Sequence, residues 1–276
     1  MKLKWLSFVF ILLFINEAYA IQVTRNIPYT RDDQRSLDLF LPVDTGRAVS
    51  PRPAAIVMHS GGFVRGDRSE VEYIAEWFAE MGVVVINVDY TLAIQTENKW
   101  PAQMADVIQG VWWLKENATR YNINPNKILA VGASAGGYLA AMLGQTSVSN
   151  VTSGVDSEVH GVISFSAPWD LLAATTDEQL YYIHQLLPNV TPEALYLASP
   201  RYLITRHSPP VLIFHGTDDE LVPIQQSKNA CKAYVSKGLN SCYLVPLEGY
   251  RHSTDLMGSA MVTGVIEKFL NWWMTQ

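Results

Sequence analysis

Ile128-Leu129-Ala130-Val131-Gly132-Ala133-Ser134-Ala135-Gly136-Gly137 runs straight into Tyr138-Leu139-Ala140-Ala141-Met142-Leu143. The continuous apolar run predicts a strand, and the small residues after Ser134 predict a helix. Gly132 and Gly136 stand two residues either side of Ser134. Neighbouring chain can therefore approach a sharp strand-to-helix turn while the hydroxyl is pushed outward. That makes Ser134 a candidate nucleophile. The stretch has neither a Walker lysine nor a G-x-G-x-x-G run, which argues against a phosphate loop. Without chemistry it would be a tight turn packing a helix on a strand.

Outward from this turn, strand-like runs recur at Leu37 to Leu41, Ala54 to Met58, Val83 to Val88, Val162 to Phe165, Val211 to Phe214 and Tyr243 to Val245. Several are rich in Val and Ile without polar alternation, as in strands covered on both faces of a mostly parallel sheet. Between them Val71, Ile74, Ala75, Phe78 and Met81 fall at helical spacing, as do Ala105, Ile108, Val111 and Trp112. The pattern predicts an α/β sheet flanked by helices. Gln22 to Pro42 alternates with polar residues and predicts antiparallel edge strands at the N-terminal end. Residues 167–210 break the rhythm with prolines, aromatics and helix-like stretches but no strand. They read as a small cap-like insertion or as a long crossover. No internal repeat or low-complexity linker divides the chain, so 21–276 is expected to form one domain.

The chain has 276 residues, 49% of them hydrophobic and 17% charged, which excludes a disordered chain. Lys2 and Lys4, an apolar run from Trp5 to Ile15 and Ala18-Tyr19-Ala20 have the form of an export signal over residues 1–20. The mature chain would then carry 18 basic and 25 acidic side chains, a net of -7, which makes nucleic acid a poor partner. No membrane anchor is expected after cleavage, and the destination is the medium or a periplasm. Cys231 and Cys242 are the two cysteines, and in an exported protein a disulfide between them is expected, tying the end of a helix to the next strand. The six histidines lack ligand spacing, so no metal is expected. Asn117, Asn150 and Asn189 head glycosylation sequons, a short pattern given little weight.

A serine nucleophile needs a base, and the base an orienting acid. His252 follows the last predicted strand and precedes the C-terminal helix, which suits a base. His215 ends a strand before Gly216, a place for a structural imidazole. Thr217-Asp218-Asp219-Glu220 lies at the carboxyl end of a strand and offers the acid, with Asp218 and Asp219 both candidates. His59-Ser60-Gly61-Gly62-Phe63, directly after the strand Ala54 to Met58, offers backbone donors at Gly61 and Gly62 for a developing oxyanion, joined by the N–H of Ala135.

Together these segments resemble the α/β-hydrolases, specifically the carboxylesterase and lipase branch with its hormone-sensitive-lipase-like and feruloyl-esterase-like members. The resemblance runs from Arg35-Ser36-Leu37-Asp38-Leu39-Phe40-Leu41-Pro42 to His252. The family's H-G-G-G-[FW] segment is met by His59 to Phe63 with Ser60 for the first glycine, and its G-x-S-A-G-G elbow by Gly132 to Gly137. Its H-G-x-x-D-x-x-V-P segment is met by His215 to Pro223, which selects Asp219 over Asp218. D-Y-R-L is met as Asp89-Tyr90-Thr91-Leu92, without the Arg, and Asp89 is taken as structural.

The resemblance implies a carboxylic-ester hydrolase acting through Ser134, Asp219 and His252 on a small-molecule ester, short-chain or aryl, without a cofactor. Phe63, Trp169 and the pair Tyr181-Tyr182 are candidate pocket or lid aromatics, core packing being the commoner role of an aromatic at such positions. Asp170, before Leu171-Leu172-Ala173-Ala174, suits a helix cap. The alternatives are an amide or peptide hydrolase of the same fold, formamidase-like, and a non-catalytic binding module. The latter would be expected to have lost Ser134, Asp219 or His252. Oligomeric state is not legible.

Overall fold

In a computed structural model of the chain, residues 20–32, 34–43, 50–94, 99–146, 156–252 and 259–276 are described. The export signal up to Tyr19 and the Asn150 sequon lie outside them. Period-two burial explains the sheet. In β3 (Arg52–Met58), Ala54, Ile56 and Met58 join one core while Ala55 and Val57 join the other. In β5 (Ile123–Ala133), Ile128 and Ala130 face the first core, Leu129 and Val131 the second. Both faces being covered, these strands carry no polar alternation.

The eight strands also include β1 (Ile21–Pro28), β2 (Ser36–Pro42), β4 (Val84–Val88), β6 (Gly161–Phe165), β7 (Val211–Gly216) and β8 (Cys242–Leu247). Their order is β1-β2-β4-β3-β5-β6-β7-β8. β1 and β2 are antiparallel to each other, and β2 to β4; the rest run parallel. The antiparallel N-terminal edge matches the alternation read from Gln22 to Pro42. Two helices cover one face: α1 (Glu72–Glu80) contributes Ile74 and Phe78, and the C-terminal helix (Ala260–Met274) contributes Ile266, Phe269 and Trp273. The other face is covered by α2 (Ala102–Glu116) and, beyond the short α3 (Ala118–Tyr121), by α4 (Ala135–Gln145).

Between β6 and β7 the chain forms a 3-10 turn at Leu171–Ala173 and then α5 (Asp177–Leu186), α6 (Pro192–Leu197) and α7 (Pro200–Leu203), with no strand. The prolines open helices here: Pro192 and Pro200 sit in first turns, where a missing N–H removes no helical bond. After β7 comes α8 (Gln225–Ser236), and the helix closing the chain is α9.

β8 pairs with β7, and its side chains are mostly half-buried or exposed. Cys231 of α8 is bonded to Cys242 at the start of β8, with Cα atoms 5.3 Å apart. The bond therefore pins an edge strand to the helix packed on it. Replacing both cysteines by Ala should lower the unfolding free energy by ~3 kcal/mol in the chain-entropy picture. A urea midpoint equal to that of the wild type, at equal slope, would refute this role.

Candidate active site

Ser134 closes β5 and opens α4 at φ 51°, ψ −114°, a conformation that costs energy for a residue with a side chain. Its surroundings hold it there. The Ser134 N–H donates to the carbonyl of Phe165 (2.8 Å), and its own carbonyl accepts from Tyr138 (2.8 Å). Gly136 is required by proximity, since a Cβ there would lie 2.2 Å from the carbonyl oxygen of Met58. The first turn of α4 thus rests on the end of β3, and Oγ stands at the N-terminus of a helix of 11 residues, where negative charge is favoured.

His252 Nε2 lies 2.9 Å from Ser134 Oγ, and its Nδ1 lies 2.8 Å from Asp219 Oδ2. A carboxylate can only accept, so the imidazole proton sits on Nδ1 and Nε2 offers its lone pair to the serine hydroxyl. Asp219 is buried and is itself held: Oδ1 accepts from Val222 N (2.7 Å), and His215 Nε2 lies 3.3 Å from Oδ2. His215 is fully buried, with Nε2 donating to the carbonyl of Val222 (2.7 Å) and Nδ1 beside Ser227 Oγ (2.6 Å). Burial would raise the Asp219 pKa, but the hydrogen bonds from His215 and His252 outweigh it and bring it down to about 2. Asp218 bonds only its neighbour Thr217 among the described side chains and is exposed.

Gly61 and Gly62 adopt φ of 110° and 61°, and Phe63 follows at 69°. Only glycine takes such values without strain, which is why two of them form the loop. Among the described residues nothing accepts the N–H of Gly61, Gly62 or Ala135. The loop is anchored at its base. His59 stacks on Tyr90 (centroids 4.1 Å apart, planes within 7°) and donates from Nδ1 to the carbonyl of Ser60 at 2.7 Å, while Tyr90 Oη donates to the carbonyl of His59 at 3.0 Å. Burial pushes the His59 pKa down, which keeps the ring neutral under the loop. The Arg absent from Asp89-Tyr90-Thr91-Leu92 is replaced from elsewhere: Arg68 pairs with Asp89, and Arg35 Nε donates to Thr91 Oγ1 at 3.0 Å. Asp89 is thus bound into structure.

Ser134, Ala135, Gly61, Gly62, Phe63 and His252 line one cavity of about 340 Å³. The segment after β6 adds Leu171 and Ala174, α5 adds Tyr182, Ile183 and Leu186, and the acid loop adds Leu221 and Val222. Asp170 caps the 3-10 turn as read from sequence, accepting from Leu172 N (3.1 Å), and its other oxygen pairs with Arg201 (2.6 Å). Trp169 needs correction as a substrate contact. Its side chain is fully buried in the core and does not line the cavity. The indole packs into the core, its Nε1 without a hydrogen-bond partner among the described residues. Tyr181 is exposed, and of that pair Tyr182 alone lines the cavity. Sequence reasoning missed Gln226, whose Oε1 accepts from the N–H groups of Trp169 and Asp170 (2.8 Å each). No local pattern marks it, because its partners lie 57 and 56 residues away.

Residues 37–234 match the BD-FAE family. Esterase LipC of Mycobacterium tuberculosis is 27% identical over 249 residues, covering 86% of this chain and 61% of LipC. The chain therefore spans less than two thirds of that relative's length. Among solved structures, a truncated carbohydrate esterase from gut microbiota superposes with a TM-score of 0.81 at 24% identity, over 94% of this chain and 98% of that one. Thermogutta terrifontis esterase 2 phosphonylated by sarin superposes with a TM-score of 0.71 at 25% identity, over 85% of each chain. These likenesses establish an α/β-hydrolase fold.

The buried acid generates a test on Ser134 reactivity. Asp219→Asn should slow labelling of Ser134 by a fluorophosphonate roughly 1,000-fold or more, because the imidazole loses its orienting anion. Asp218→Asn should stay within about threefold of wild type, as expected for an exposed side chain. Equal losses would make the assignment of the acid wrong. The pKa of Asp219 is lowered on folding, so its contribution to stability is complete above about pH 4 and is lost only as pH falls toward its folded value of about 2.

Proposed function

This chain belongs to the BD-FAE family, and on that footing we propose that it is a serine carboxylic-ester hydrolase working through an acyl-enzyme. The observation that carries the reading is the continuous hydrogen-bond series Ser134–His252–Asp219, assembled from three separate loops, with Ser134 and His252 on the wall of a cavity and Asp219 buried behind them. In the proposed cycle His252 Nε2 takes the Ser134 proton as Oγ attacks the ester carbonyl. The N–H groups of Gly61, Gly62 and Ala135 receive the oxyanion. Asp219 stabilises the imidazolium, which gives its proton to the departing alcohol. Water then enters, loses a proton to His252 and attacks the acyl carbonyl, and Ser134 leaves reprotonated. The reading is supported by the N–H groups of Gly61, Gly62 and Ala135, which have no acceptor among the described residues and stand beside the hydrogen-bonded serine.

The walls support a substrate class. Phe63, Leu171, Ala174, Ile183 and Leu186 give an apolar lining, and a cavity of about 340 Å³ suits a short acyl or aryl group. We also propose export, with cleavage after Ala20; the Cys231–Cys242 bond supports an oxidising destination.

Intact mass after fluorophosphonate treatment should show one adduct, absent in Ser134→Ala. Run beside it, p-nitrophenyl acetate and butyrate should be turned over at least about tenfold better, in kcat/KM, than octanoate, equivalent to about 1.4 kcal/mol of discrimination. A folded protein without adduct or turnover would overturn the hydrolase reading, and a preference for octanoate the short-chain one.

A further inference from the structure

α5 turns one face to the cavity: Gln179, Tyr182, Ile183 and Leu186 follow the i, i+3, i+4, i+7 spacing of a single helical stripe, and all four line it. Two of them reach opposite banks. Gln179 Nε2 donates to the carbonyl of Leu221 (2.7 Å), two residues past Asp219. One turn further on, the ring of Tyr182 lies against the backbone of Gly62. A Cβ built on Gly62 would fall 2.3 Å from Tyr182 Cε1 and 2.5 Å from Cδ1. The helix itself is held at both ends. A capping box joins Thr176 and Gln179 at its start, and Leu186 accepts from the N–H of Trp100 (2.8 Å) at its end.

Among the described residues Gly62 itself makes no backbone hydrogen bond, while its neighbour Phe63 is buried and accepts from the N–H of Ala93 (2.7 Å). At φ 61° Gly62 sits in a loop whose internal bonds run from Val64 and Arg65 to the carbonyl of Gly61, at 3.2 Å each. A glycine with a donor N–H directed at a reacting oxygen needs something to limit its freedom. We propose that Tyr182 is a positioning residue: its ring, fixed on α5, presses on Gly62 and keeps the Gly62 N–H aimed at the oxyanion. The cap helix is then a strut between the acid loop and the oxyanion loop. This rests on the ester-hydrolase reading above. The ring rather than the hydroxyl is responsible, since ring carbons Cε1 and Cδ1 are the atoms nearest a Cβ at Gly62.

The experiment is a double-mutant cycle read by steady-state hydrolysis of p-nitrophenyl butyrate, with Tyr182→Phe and Tyr182→Leu as companions. Tyr182→Phe should stay within about twofold of wild type, because it keeps the ring. Tyr182→Ala should lower kcat by about tenfold with KM within about threefold, part of the 100-fold or greater loss expected when an oxyanion donor is removed outright. Tyr182→Leu, which keeps apolar volume, should show the same kcat loss, so an unstable Ala variant cannot decide the matter. Gly62→Ala should cost over 100-fold in the wild-type background, where the new methyl meets the ring, and less than about tenfold more in Tyr182→Ala, where that space is open.

An equal penalty in both backgrounds, or an effect of Tyr182→Ala and Tyr182→Leu confined to KM, would overturn the inference and leave Tyr182 a simple wall of the cavity. A folded wild type that neither hydrolyses the ester nor takes the phosphonate would overturn the hydrolase reading, and this inference with it.

Discussion

The carboxyl edge of the sheet depends on how closely α4 approaches β3. With Gly136 in the first helical turn, the backbone of α4 comes against the carbonyls of Met58 and His59, nearer than any side chain would allow. That contact forces the sharp turn at Ser134 and holds it at positive φ. It also sets where the chain leaving β3 can go, because His59 begins the loop that carries Gly61 and Gly62. One close approach therefore places the serine and the Gly61-Gly62 loop beside each other. The strain at Ser134 is supported by neighbours on both sides, the carbonyl of Phe165 in β6 and the amide of Tyr138 in α4.

The second constraint is the allotment of protons around Asp219. A buried carboxylate is costly unless it is paired and hydrogen-bonded. Here it accepts from Val222 and from His252, with His215 close by. His215 is locked between Ser227 and Val222, so it supports the acid while taking no part at the serine. The outcome is a histidine whose Nδ1 meets Asp219 and whose Nε2 faces Ser134. Two histidines beside one aspartate thus differ in role because one is sealed in the core and the other faces the cavity.

The segment between β6 and β7 adds shape to this chemistry. Its helices are short and amphipathic, and they bury little on their own; the contacts that fix them run to other parts of the chain. Gln226 of α8 ties down the strand exit at Trp169 and Asp170, Arg201 of α7 holds Asp170, and Gln179 of α5 holds the acid loop. The cavity is closed on one side by side chains whose positions depend on three separate elements, α5, α7 and α8.

Much of this was legible in the sequence. Strands buried on both faces announce themselves as continuous Val and Ile, and the elbow is a local pattern of five residues, so both the sheet and the turn could be read without tertiary information. Two cysteines allow a single pairing, and the Cys231–Cys242 bond follows. Recognition of Asp219 over its neighbour came from the H-G-x-x-D-x-x-V-P resemblance rather than from the residues alone. Trp169 stayed open between pocket and core because nothing local tells which way an aromatic at a strand end turns; packing decided for the core. Arg68 and Arg35 at the Asp89 corner and Gln226 on the cavity wall were invisible, and so was the contact of Tyr182, itself a candidate pocket aromatic, with Gly62, for each acts across 21 residues or more of chain. By itself the sequence determined what is periodic or local: the strands, the elbow and the types of residue able to do chemistry. The tertiary structure decided which distant side chains meet, because that depends on close packing in three dimensions, which no local pattern encodes.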